Sequence, residues 1–164
     1  MMAVRKLRRR ILAIDPTHRG FGFVVLEEPL ALIDWGLRYV PTLNEKEHVR
    51  RVVDLLRLVV PDVVVVEDVR HPSCRRGTRV RRLIEAIEQA GRREHMSVRR
   101  VARADVRRWY AKIGSSNKDS VAAVIVDQFP ELESILPPKR KTWMPEDQRM
   151  AVFDAATLAF YCIE

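Results

Sequence analysis

Three acidic residues occupy positions where an acid is costly. Asp15 closes the apolar run "ILAI" (11–14), Glu67 closes "VVVV" (63–66), and Asp154 interrupts "MAVFDAATLAF" (150–160). An ionised carboxylate at the margin of a core is unfavourable unless it is paired or binds a metal. Gathered in one place, the three would offer hard oxygen donors of the kind Mg²⁺ takes. Two such ions about 3.5–4 Å apart can clamp a scissile phosphate, one activating water and the other stabilising the leaving oxygen. That chemistry needs acids and no His/Cys cluster. Each acid also has an ordinary reading. Asp15 before Pro16 suits a turn, and Glu67-Asp68 suits a strand end paired with the arginines that follow. Asp154 is harder to explain this way, because its own stretch holds no cation.

The charge pattern points to a polyanion. The chain has 30 Lys+Arg against 22 Asp+Glu, a formal net charge of +8. Arg70, Arg75, Arg76, Arg79, Arg81 and Arg82 fall within 13 residues. Arg5, Lys6, Arg8, Arg9 and Arg10 form a second cluster, and Lys139, Arg140 and Lys141 a third. Such clustering suits nucleic acid better than a merely solvated surface. No apolar run approaches the roughly 18 residues of a membrane helix, and the basic N-terminus lacks the apolar core of a signal peptide. Cys74 and Cys162 match no metal or redox spacing, so a reduced, cytoplasmic setting is expected.

The elements that would have to position these residues can be read in order. The 164 residues suit one domain over 1–164, with 47% hydrophobic content to build a core. Strands are expected at 10–14, 22–27 and 31–40, forming an antiparallel meander. Thr42 to Glu45 reads as a capping box. It opens a helix with Val49, Val52, Val53, Leu56, Val59 and Val60 at helical spacing, ended by Pro61. The β-branched run before Glu67 suits a strand covered on both faces, as in a parallel sheet. A helix over 79–93 follows, with the stripe Val80, Leu83, Ile84 and Ile87, then a strand at 97–102. Helices over 105–112 and 116–128 are broken by Gly114, and Pro145 opens a final helix. The order predicts an α/β fold: a mixed five-stranded sheet flanked by helices, as in ribonuclease-H-like proteins. Strands one and four as neighbours would bring Asp15 and Glu67 to one sheet edge, and the last helix would carry Asp154 there.

Several stretches together resemble RuvC-type Holliday-junction resolvases. "ILAIDPTHRGFGFVVLE" is similar to the family's opening motif, with Asp15 on its first catalytic acid. "PDVVVVED" resembles the second motif, with Glu67 on the catalytic Glu. "AKIGSSNKDSVAAVIVDQFPEL" resembles the Gly-x-x-x-Lys segment, with Lys118 on the lysine that approaches the cleaved phosphate. "FDAATLAFYCI" resembles the closing acidic helix, with Asp154 on the last catalytic Asp. The resemblance spans nearly the whole chain. It implies a ribonuclease-H-like fold, a homodimer, and nicking of four-way, branched DNA that depends on two Mg²⁺ per site, with Mn²⁺ as the alternative ion. Arg70, His71, Arg75, Arg76, Arg79 and Lys118 are the expected DNA contacts.

The departures from the pattern are specific. Thr17 stands where the family usually has Gly. Ala151 stands where it has a fourth acid, leaving Asp147, two turns before Asp154, or Glu146 as substitutes. The loop "VRHPSCRRG" lacks the aromatic that helps unstack junction bases; Arg70 and His71 stand there and can stack as well. Trp143 is read as packing rather than stacking. The stripe Leu83, Ile84 and Ile87 serves equally as core or as dimer surface. Lys118 has a plain reading too, as a solvated residue behind a Ser116 cap. The alternatives are another ribonuclease-H-like nuclease, cutting RNA–DNA hybrids or other branched DNA, and a non-catalytic nucleic-acid-binding module.

Overall fold

Apolar residues on both faces of a strand demand cover on both sides, and the architecture supplies it. The computed structural model describes residues 8–40 and 44–164. Three antiparallel strands open it: β1 (Arg10–Thr17), β2 (Gly20–Glu27) and β3 (Ala31–Tyr39). Two parallel strands follow, β4 (Val63–Glu67) and β5 (Ser97–Val101), giving the order β3-β2-β1-β4-β5. This is the mixed five-stranded sheet expected from the sequence.

Strand alternation sends successive side chains to opposite faces. Leu12, Ile14, Val64 and Val66 meet helices α1 (Glu45–Val59) and α2 (Thr78–Arg93). Ile11, Ala13, Val63 and Val65 meet α3 (Arg103–Lys112), α4 (Lys118–Gln128) and α5 (Met150–Ile163) on the other face. Leu83, Ile84 and Ile87 lie in the core between α2 and the sheet, so this stripe is not a free dimer surface.

Element ends differ from expectation where local hydrogen bonds compete. β1 does not stop at Asp15: its antiparallel ladder with β2 runs on to Thr17, and only the parallel pairing with β4 ends early, at Ala13 and Val65. Thr42 of the expected capping box lies outside the described residues. The α1 cap is Asn44, whose Oδ1 accepts the Lys46 N–H at 2.9 Å. Val60 is not in the helix but takes a left-handed conformation just after it. The α4 cap is Asn117 rather than Ser116, in a reciprocal capping box with Ser120. α5 begins at Met150 rather than Pro145, because the Asp147 carboxylate accepts the Arg149 N–H at 2.9 Å. Such a local side-chain bond favours a turn over a helix. Asp147 therefore precedes the helix and shares no helical face with Asp154.

Candidate active site

The site begins with strand register. Ala13 pairs with Val65, so Asp15 and Glu67 each lie two residues further on and share a face. Both are 3% exposed. That face is the one α5 covers. Helix and sheet approach unusually closely at Gly22, the β2 partner of Asp15. A Cβ built on Gly22 would lie 2.3 Å from the Ala151 carbonyl carbon. Only glycine permits this contact, and it seats Asp154, one turn further along α5, beside the strand acids. Ala151, standing where an acid was expected, is 3% exposed and packed on the strand.

The three acids converge on a guanidinium. Arg103, the first residue of α3, donates from Nη2 to Asp15 at 2.8 Å and from Nε to Glu67 at 2.6 Å. Its Nη1 lies 3.7 Å from Asp154. Arg76 reaches in from the loop before α2, at 2.5 Å from Asp15 and 3.5 Å from Glu67. The Cys74 thiol donates to Glu67 at 3.4 Å. Lys118, at the start of α4, donates to Asp154 at 3.2 Å and also pairs with Glu146.

Arg103 is not among the residues expected from the sequence, and only the pairing of β4 with β5 reveals it. Glu67 pairs with Val101, the last residue of β5, so the chain enters α3 at Arg103 just past the second acid.

The electrostatics separate the two strand acids. Burial, with the charge of Asp154 behind it, pushes Asp15 from 3.8 up to about 6, against the opposing pull of Arg103 and Arg76. Burial also works to raise Glu67, but Arg103, Arg76 and the Cys74 thiol outweigh it and hold this carboxyl below its ordinary value. For Lys118, burial disfavours the charge. Asp154 and Glu146 more than compensate, so the ammonium titrates above its usual range.

These groups line a cleft of about 840 Å³. Arg75 is exposed at its rim. Asp147 also lines the cleft, but both its oxygens are taken by Arg149. Glu146 is linked to Asp154 through Lys118 and Asp147 is not. Of the other expected DNA contacts, Arg79 lines a neighbouring cleft with His18 and Thr78. Arg70 is exposed on the loop after β4, and His71 holds Ser73 through Nδ1 at 2.6 Å. Trp143 does not pack: it is 76% exposed, with Lys141 Nζ 5.3 Å from its ring centre.

The donor set fits a hard divalent cation in kind, being carboxylate oxygen only. In spacing, the acids are arranged around Arg103 and Arg76. Among the described residues no group of three His, Cys, Asp or Glu is already disposed to hold a metal.

The backbone as a whole matches solved structures. RuvC of Thermus thermophilus superposes with a TM-score of 0.63 at 22% identity, covering 93% of this chain and 95% of that one. The same species' RuvC in complex with a Holliday junction substrate gives 0.62 at 20%, with 94% of each chain covered. This chain has the RuvC fold. The RuvC fold is also that of the yeast mitochondrial Holliday junction resolvase, which matches at 0.63 with 14% identity over 94% of this chain and 79% of that one. No protein-family model and no characterised protein sequence matches the chain. The ribonuclease-H-like architecture expected from element order is thus the RuvC fold, and its sheet edge is where the three acids meet.

Proposed function

We propose that this protein is a metal-dependent, structure-selective DNA endonuclease, a single nuclease domain that resolves four-way junctions by paired nicks. The observation that carries this reading is the convergence of Asp15, Glu67 and Asp154, from three distant elements, in one cation-rimmed cleft. The RuvC fold, shared with proteins whose solved structures are those of Holliday-junction resolvases, supports the substrate class.

Asp15, Glu67 and Asp154 would hold Mg²⁺, with Mn²⁺ as the alternative, and Glu146 is better placed than Asp147 to complete the set. When bound, the metal supplies Lewis-acid activation of water and neutralises phosphate charge. The rest falls to the protein. Lys118, tethered between Asp154 and Glu146, presents an ammonium to the phosphate as charge develops on its oxygens. Arg75 at the rim grips the backbone, and Arg70, His71 and Arg79 extend the basic surface past the cleft. A four-way junction has two-fold symmetry, so a homodimer would present one site to each opposed strand. Among the described residues no helix is long and apolar enough to cross a membrane. Both cysteines are free, as a reduced cytoplasm would keep them.

The test is a labelled four-way junction offered with Mg²⁺, Mn²⁺ or EDTA, beside linear duplex and RNA–DNA hybrid. Symmetric nicks in the junction that need metal and vanish in Asp15→Asn are expected. Cleavage of hybrid alone would point to another ribonuclease-H-like nuclease. The second reading, a binding module without catalysis, draws on the arginines that already neutralise the acids and on Ala151. It predicts tight junction binding with no nicking in either metal.

A further inference from the structure

The acids of this site are nearly balanced without any metal. Asp15, Glu67, Asp154 and Glu146 bring four negative charges, against three positive ones from Arg103, Arg76 and Lys118, so all but one are offset. Among the described residues Arg103 alone pairs with all three of Asp15, Glu67 and Asp154, and its side chain is only 17% exposed. It is placed to do so by α3, whose first residue it is, and α3 is anchored to α5 by the Tyr110 hydroxyl donating to the Thr157 carbonyl at 3.3 Å. A guanidinium held this way is a built feature and not a wandering surface side chain.

We propose that Arg103 is a positioning residue that acts as a resident counter-cation. It gathers the three carboxylates in the metal-free protein and must leave their oxygens for a divalent ion to enter. The inference rests on the metal-dependent reading above.

Two physical points carry it. First, the oxygens are the same ones. Arg103 nitrogens sit 2.8 Å from Asp15 Oδ1 and 2.6 Å from Glu67 Oε1. Mg²⁺ needs oxygen at about 2.0–2.1 Å in near-octahedral geometry, which a guanidinium wedged between the donors blocks. Second, a divalent ion added to this nearly balanced cluster turns its net charge positive in a poorly solvated place, where like charges repel strongly. Moving Arg103 off the acids relieves that. The displaced guanidinium remains in the cleft that Arg75 and Arg107 also line, where a DNA phosphate is its natural partner. The exchange breaks ion pairs and forms coordination bonds; no proton or electron is transferred.

A merely structural arginine would behave differently. If Arg103 only shaped the acids for metal, its removal would weaken metal binding. A competitor predicts the reverse, because unpaired acids repel one another and a cation relieves them. The experiment is calorimetric titration of Mg²⁺ and Mn²⁺ into wild type, Arg103→Ala and Arg103→Lys, with melting temperatures in EDTA. Arg103→Ala should melt lower in EDTA yet bind metal roughly tenfold or more tightly, as loss of charge-assisted competitors implies. Arg103→Lys should fall between. Should the variants fail to fold, arginine Nε–Hε NMR signals of the wild type decide. Addition of Mg²⁺ should abolish one hydrogen-bonded, slowly exchanging signal in proportion to occupancy. Unchanged or weaker metal binding by Arg103→Ala, or a protected signal that survives saturation, overturns the inference while leaving the nuclease reading intact. No metal binding by any form overturns both.

Discussion

At the scale of single residues, the site is a contest between burial and pairing. Asp15 shows it most directly. Its carboxyl titrates near 6 rather than 3.8, so the folded protein binds a proton there that the unfolded chain has already lost. The sign follows: this contribution to stability is complete below about pH 4 and is lost as pH rises through about 6. In EDTA, Asp15→Asn should therefore gain on wild type by up to about 3 kcal/mol between pH 4 and pH 7.5. Parallel denaturant titrations at the two pH values would measure the gain, and a constant difference would show that Asp15 is not strained by its charge. Lys118 makes a separate prediction. It is half-exposed and bridges Asp154 to Glu146, so it contributes little to the core. Lys118→Ala should fold normally and bind junction DNA within a few-fold of wild type. Single-turnover nicking should fall about 10²–10³-fold, as for loss of one donor to a developing oxyanion. Equal losses in binding and rate would assign Lys118 to DNA contact instead.

At the scale of elements, what could be read in the sequence and what could not have distinct causes. The acids stood out because a carboxylate ending an apolar run violates the pattern around it, and strand alternation then fixes which face it occupies. Helix ends were misplaced because they depend on which side chain captures a free N–H: Asn44, Asn117 and Asp147 each do so at a point periodicity does not mark. Arg103 escaped notice because its role needs the β4–β5 pairing, which is tertiary information: one more arginine in an arginine-rich chain carries no signal by itself. Gly22 was visible only as the first residue of the strand expected at 22–27, yet it sets the α5–sheet distance. A side chain there would overlap the Ala151 backbone, whereas at Gly36 it would meet side chains, the Phe23 ring edge at 3.2 Å and the Arg38 guanidinium at 3.9 Å. Gly22→Ala should thus cost about 1–3 kcal/mol through overpacking and abolish nicking by moving Asp154, while Gly36→Ala costs less and keeps activity. Thermal melts beside a cleavage assay would test the pair, and an active, stable Gly22→Ala would refute the idea that this contact seats the third acid.

At the scale of the whole molecule, a net charge of +8 does not say which cations meet DNA, but the geometry divides them. An arginine already neutralised by buried carboxylates releases few phosphate counterions when DNA binds, whereas one exposed in the cleft's basic rim releases its full share. Arg76 belongs to the first kind: it is paired with Asp15 and Glu67 and only 25% exposed. Its neighbour Arg75 belongs to the second, exposed and lining the cleft. Junction binding in EDTA should weaken linearly with log salt, each phosphate contact contributing about 0.9 to the slope. Arg75→Ala should lower that slope by about one contact. Arg76→Ala should leave it nearly unchanged, although the two residues are adjacent in sequence and identical in charge. Fluorescence anisotropy of a labelled four-way junction across a salt series reads both slopes directly. If both variants lose the same slope, Arg76 abandons the acids for DNA even without metal, and the neutralised cluster is not the state that meets the substrate. If only Arg75→Ala changes, the basic rim does the gripping and the buried arginines serve the acids.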